Sequence, residues 1–159
     1  MRRTGTEREL DEIRDELRES GYLRAKRGKQ AKQQVLKPHT FTSSDGFTIL
    51  VGRNNKQNDR LTLRDCEKTD LWFHTKDIPG SHVIVVTGGE TPPDSTITEA
   101  AELAAYHSKA RDSSKVPVDY TLVKNVSKPG GAKPGMVIYV KQTTVFVTPE
   151  RREESGVRD

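Results

Sequence analysis

Apolar and polar positions change their period several times along the 159-residue chain. Near the start, Leu10, Ile13 and Leu17 recur at i, i+3, i+7 within TERELDEIRDELRES, with charges elsewhere. That narrow seam predicts a helix of the coiled-coil kind, too short to be stable without a partner. Gly21 closes it. From Pro38 the pattern becomes that of strands. HTFTSSDGFTILVG has two β-branched and aromatic runs around Ser-Ser-Asp-Gly, a hairpin signal. RNNKQNDRLTLRDCEK is polar and predicts a short helix. DLWFHT and HVIVVT predict strands separated by KDIPGS.

The exposed Gly/Pro loop TGGETPPDS precedes the clearest helix, expected over residues 97–111, with Thr96 and Glu99 as a capping box. Its small residues Ala100, Ala101, Ala104 and Ala105 allow close packing on a sheet. VDYTLVKNV, GMVIYVK and TTVFVTP predict the remaining strands, and ERREESGVRD a frayed end. The expected fold is α+β: a single domain with a mainly antiparallel sheet covered by one main helix, preceded by a coiled-coil stub. The expected divisions are 1–37 (coiled-coil end and basic linker), 38–150 (the domain) and 151–159 (a disordered tail).

Composition sharpens this picture. Charged and apolar residues each make up 31% of the chain, so the core is modest and the surface polar. The net charge of +4 lies wholly in residues 1–37, with 11 Lys+Arg against 7 Asp+Glu; the remainder is balanced. The stretch LRAKRGKQAKQQVLK contains no acid and suits either a polyanion partner such as RNA or a solvated linker. The single cysteine, Cys66, excludes an internal disulfide and fits a structural thiol in a reducing compartment. No apolar run approaches the ~20 residues of a membrane span, and the N-terminus lacks the apolar region of an export signal. A cytoplasmic location is expected.

Several residues bear on chemistry. Asp70, His74 and His82 form a possible two-histidine, one-carboxylate metal set, but their spacing is not that of helical zinc histidines. Ser81 beside His82 invites a hydrolase reading, yet no nucleophile elbow surrounds the serine. KPGGAKPG lacks the order of a phosphate-binding P-loop and lies between predicted strands, so Lys124, Lys128 and Lys133 are phosphate contacts at a basic hairpin tip or merely loop residues. Trp72 and His74 share one strand face. They stack unpaired bases, with Arg53, Lys56 and Lys76 on phosphates, or else Trp72 is core.

Together GRNNKQND, DLWFHTKDIPGSHV, EAAELAAYHSKAR and VPVDYTLVKNVSKPGGAKPGMVIYV resemble the RNA-binding domain of the NFACT family over about residues 38–150. The loop GGAKPG departs slightly from the NGAKPG-like form typical of Gram-positive bacteria. The resemblance implies that the chain is a C-terminal fragment, without the N-terminal NFACT domain and most of the coiled coil. It implies a noncatalytic factor that needs no cofactor or metal. Such factors bind a large ribosomal subunit carrying a stalled nascent chain and recruit tRNA (alanyl-tRNA in the bacterial branch) for tailing of that chain. The alternative, from relatives known for binding fibronectin, is a surface adhesin with fibronectin as partner. A metal-dependent nuclease is a third reading. The expected RNA contacts are Arg53, Asn54, Asn55 and Lys56 at the end of the second strand. Asp70, Trp72, His74, Pro79, Gly80, Ser81 and His82 form or support the signature surface, with Asp70 fixing it by hydrogen bonding. The histidines donate to phosphate or ribose, or bond loop carbonyls.

Overall fold

The computed structural model describes residues 37–155. The expected coiled-coil end and basic linker over residues 1–36 therefore lie outside the described residues. The elements in chain order are β1 (His39–Thr42), β2 (Thr48–Val51), α1 (Asn55–Leu63), β3 (Leu71–Thr75), β4 (Val83–Val86), α2 (Asp94–Tyr106), β5 (Val116–Leu122), a 3₁₀ turn at Val123–Asn125, β6 (Val126–Ser127), β7 (Ile138–Tyr139) and β8 (Thr143–Val147). Six strands form an antiparallel sheet in the order β8-β5-β3-β4-β2-β1, and β6 pairs with β7 in a separate hairpin. This is a single α+β domain.

The central strands β3 and β4 are buried on both faces, which explains the near-continuous apolar run HVIVV. Side chains alternate across a strand. Phe73 pairs with Val83, Leu71 and Ile49 both pair with Val85, and all of these lie on the α2 face. They pack there against Ala100, Ala101, Leu103, Ala104 and Ala105. The intervening Trp72, Ile84 and Leu50 point the other way, against Leu61 of α1, Val123, Val126, Val137 and Tyr139. The expectation of one covering helix thus needs a second layer, made by α1 and the β6–β7 hairpin.

Three local expectations, for the bounds of α2, its capping box and the GMVIYVK strand, are corrected. Helix α2 begins three residues before the expected Ile97 and ends at Tyr106, and Pro93 occupies its N-cap position without a side-chain cap. Thr96 is buried within the helix. Its hydroxyl donates to Asp45 at 2.8 Å and lies 2.8 Å from the Ser43 hydroxyl, while Glu99 accepts from the Ser44 amide at 2.8 Å. The supposed capping box instead staples the β1–β2 turn to α2. GMVIYVK supplies only the two residues of β7. The stretch after Val147 is tied down as far as Ser155: the Ser155 amide donates to the Thr40 carbonyl at 2.7 Å, and Arg152 meets Glu102 at 3.1 Å.

Candidate nucleic-acid interface

Two glycines bring the signature segments together. Val51 and Val83 pair in the ladder, and one step further the Gly52 amide donates to the His82 carbonyl at 3.0 Å. A Cβ on Gly52 would lie 1.8 Å from Asn58 Oδ1, so a side chain there would evict Asn58. Asn58 is buried, and its Oδ1 accepts the His82 amide at 3.2 Å. Helix α1 is thereby locked against the start of β4. At the other end of the KDIPGS turn, Thr75 Oγ1 donates to the Ile78 carbonyl at 2.7 Å. Gly80 bridges to Ser108; Lys109 N donates to the Pro79 carbonyl at 2.9 Å and Ser81 N to the His107 carbonyl at 3.0 Å. A Cβ on Gly80 would sit 2.7 Å from Ser108 Cβ, so the close zipper needs glycine.

The result is an open groove of about 520 Å³, lined by Arg53, Asn54, Asn55, Pro79, Gly80 and Ser81 from the signature segments, and by His39, His107, Ser108, Lys109 and Arg111. The N-terminus of α1 opens onto it. Asn54 caps that helix by accepting the Gln57 amide at 2.9 Å, and its first turn holds no acid. Three cations and no carboxylate line the groove. Glu154 stands at its rim, 2.6 Å from His39 Nδ1 and 4.0 Å from Arg53. Lys109 is exposed, and Arg111 lies over the Tyr106 ring at 4.4 Å while donating to its carbonyl. The field of a helix N-terminus adds to that of the cations, so the groove fits a phosphate chain.

A second concavity of about 490 Å³ shares Asn55, Pro79 and Gly80 with the first. Trp72, His74, His82 and Tyr139 also line it. Trp72 has no exposed surface, which makes it core rather than an open base platform. His82 is 1% exposed. Its Nε2–H donates to the Gly135 carbonyl at 3.2 Å, which leaves Nδ1 to accept from the Thr62 hydroxyl at 2.7 Å. His74 Nδ1–H donates to the Thr75 carbonyl at 2.7 Å. Both rings bond backbone carbonyls, His82 that of loop residue Gly135 and His74 that of Thr75 at the end of β3.

Burial, reinforced by His74, pushes His82 down to about 4, and burial, with His39 and Arg111 nearby, does the same to His107. His74 is lowered mainly by burial, with backbone hydrogen bonds at Thr75 and Gly80 opposing. These rings are neutral at neutral pH. The unfolded chain binds protons first as pH falls, so stability is full above about 6.5 and declines from there towards 4. His82 alone contributes on the order of 3 kcal/mol to that decline. Melting curves between pH 7 and 4 should show it; a flat profile would contradict the burial of these rings in their neutral form.

The other sequence-derived residues disperse. Asp70 is buried at the start of β3, the end away from Thr75, and accepts the Glu67 amide at 2.9 Å and the Thr87 amide at 3.0 Å. It fixes loops and lies outside both concavities. Lys76 pairs with buried Asp119 at 3.8 Å. Lys128 is a clamp: its ammonium donates to the Lys133 carbonyl at 2.6 Å and the Met136 carbonyl at 3.2 Å, and meets Asp59 at 3.3 Å. It holds the KPGGAKPG loop closed, aided by the Gly135 amide donating to Asp59 at 3.0 Å. Lys133 is exposed on that loop, and Lys56 is exposed in the first turn of α1. Lys124 borders a separate depression with Tyr120 and Lys141. Among the described residues, no group of three His, Cys, Asp or Glu side chains is arranged to hold a metal ion, and no helix is long and apolar enough to cross a membrane. Sequence reasoning missed His39, His107, Ser108, Lys109 and Arg111 as lining residues. The signal for the last four was the basic turn HSKAR at the end of the alanine-rich helix.

The family model described as NFACT protein RNA binding domain matches residues 37–141. The chain is 55% identical over 148 residues to the Rqc2 homolog RqcH of Bacillus subtilis, covering 90% of this chain and 25% of that protein. It is 37% identical over 81 residues to the ribosome quality control complex subunit 2 of Schizosaccharomyces pombe, covering 49% and 8% respectively. Among solved structures, the C-terminal part of the fibronectin/fibrinogen-binding protein from Streptococcus suis superposes with a TM-score of 0.70 at 51% identity, covering 82% of this chain and 52% of that one. The chain spans about a quarter of the length of the bacterial curated relative.

Proposed function

The chain belongs to the NFACT RNA-binding domain family, and on that premise we propose that it is the RNA-holding module of a ribosome quality-control factor, with the acid-free groove as its contact to the RNA backbone. The whole factor binds a large ribosomal subunit carrying a stalled nascent chain, and tRNA, alanyl-tRNA in the bacterial branch, to support tailing. The observation that supports this reading is the convergence of Arg53, Lys109 and Arg111 with the N-terminus of α1 on one concave surface whose lining holds no carboxylate. A phosphate chain is the ligand such a field attracts. Contacts to phosphates hold a nucleic acid without reading its sequence, so the binding is sequence-tolerant. The module binds and positions; the family is described by RNA binding, and the peptidyl transfer belongs to the ribosome.

The name of the Streptococcus suis relative keeps a fibronectin partner testable. With the protein on immobilised fibronectin at physiological salt, added tRNA is expected to remove it. Retention of the protein on fibronectin, with no competition from tRNA, would reverse the ranking.

A further inference from the structure

We propose that the second concavity, walled by His74, Met136 and Tyr139, is a receptor for one unpaired nucleobase of the RNA whose backbone lies in the adjoining groove. The inference rests on the RNA-binding reading and names what that reading leaves unspecified. The two concavities meet at Asn55, Pro79 and Gly80. A ligand with phosphates in the cationic groove can therefore place an attached ring in the pocket, and a nucleotide combines the two.

The pocket's own chemistry points the same way. Its volume of about 490 Å³ falls within the range of about 300–1,000 Å³ usual for small-ligand sites. Trp72 and His74 lie nearly parallel, 4° apart with centroids at 5.8 Å, and Tyr139 tilts over Trp72 at 4.6 Å. Ile78, Met136 and Val137 supply apolar wall, while Asn55 and Asp77 bring an amide and a carboxylate able to meet the polar edge of a base. Met136 is 59% exposed, which leaves it available to cover a ring. The indole Nε1–H of Trp72 is buried without a hydrogen-bond partner among the described residues. That group can only donate, and leaving it unmade is costly. That N–H is enclosed, so a base is met instead by the partly exposed rings of His74 and Tyr139, which pack on Trp72. The groove alone accepts any polyanion; the pocket adds a requirement for a planar ring.

Trp72 is the chain's single tryptophan, so its emission reports on this pocket alone. The 159-residue protein is titrated with a mixed-sequence single-stranded oligoribonucleotide and with an abasic ribose-phosphate oligomer of equal length, and binding is followed by anisotropy alongside Trp72 emission. Expected is saturable quenching by the base-bearing oligomer, which also binds about tenfold more tightly than the abasic one. The abasic oligomer should bind in a salt-sensitive way and leave the emission unchanged. Equal affinity for both, with unchanged emission, would overturn the pocket and leave the groove intact. Binding of neither would overturn both.

Discussion

Replacing Trp72 by alanine is expected to destabilise the domain by about 3–5 kcal/mol, the cost of emptying a large aromatic site in a packed core. Trp72 joins Leu61, Ile84, Val123 and Val126, and its ring meets His74, His82 and Tyr139. It is therefore the residue on which α1, the 3₁₀ turn and the β6–β7 hairpin converge against the sheet. The alanine variant should lose more than about 10 °C in Tm. Trp72→Phe should retain much of the stability, because the indole N–H makes no hydrogen bond that phenylalanine would forfeit. Melting curves of the three proteins decide this. An alanine variant that melts like the parent would mean that Trp72 carries little packing and stands open to solvent. Failure of the alanine variant to bind RNA would not by itself identify a base contact, since the same change loosens the groove's supporting layer.

Legibility in the sequence followed the range of the forces involved. The strands β2, β3 and β4 were readable because β-branched and aromatic residues run uninterrupted between turn residues. The hairpin at Ser-Ser-Asp-Gly was readable from its turn chemistry. Thr96 and Glu99 misled because a capping box is a local pattern, whereas their hydroxyl and carboxylate are used across space by Asp45, Ser43 and Ser44. VIYVK reads as a full strand, yet only Ile138 and Tyr139 enter a ladder, with Ser127 and Val126, while the Val140 amide donates to the Asn125 carbonyl beyond it.

The site divides in the same way. The GRNN and PGS segments mark themselves by turn and cap residues, and the groove contains them. The other wall, His107 to Arg111, looks like an ordinary polar helix end until the Gly80–Ser108 bridge folds it onto the signature loop. Lys76 and Lys128 look like Lys109 in sequence. Buried Asp119 and the closed loop at Asp59 occupy the first two, and sequence spacing gives no sign of either partner.

The double charge reversal Lys109→Glu/Arg111→Glu is expected to have the largest effect on binding. Removing a cation that holds a phosphate forfeits a charge-assisted hydrogen bond of about 1.5–3 kcal/mol, tenfold or more in affinity, and the new carboxylates repel the RNA as well. Both side chains are exposed, so Tm should move little beyond what the stacking of Arg111 on Tyr106 supplies. The most direct test of the groove is the slope of log affinity for labelled tRNA against log salt, measured for the parent and for Lys109→Ala. The parent should weaken steeply with salt, and the variant should bind more weakly with a slope shallower by about one. A parent affinity indifferent to salt, or a Lys109→Ala slope identical to the parent's at equal affinity, would contradict the assignment of this groove to the RNA backbone.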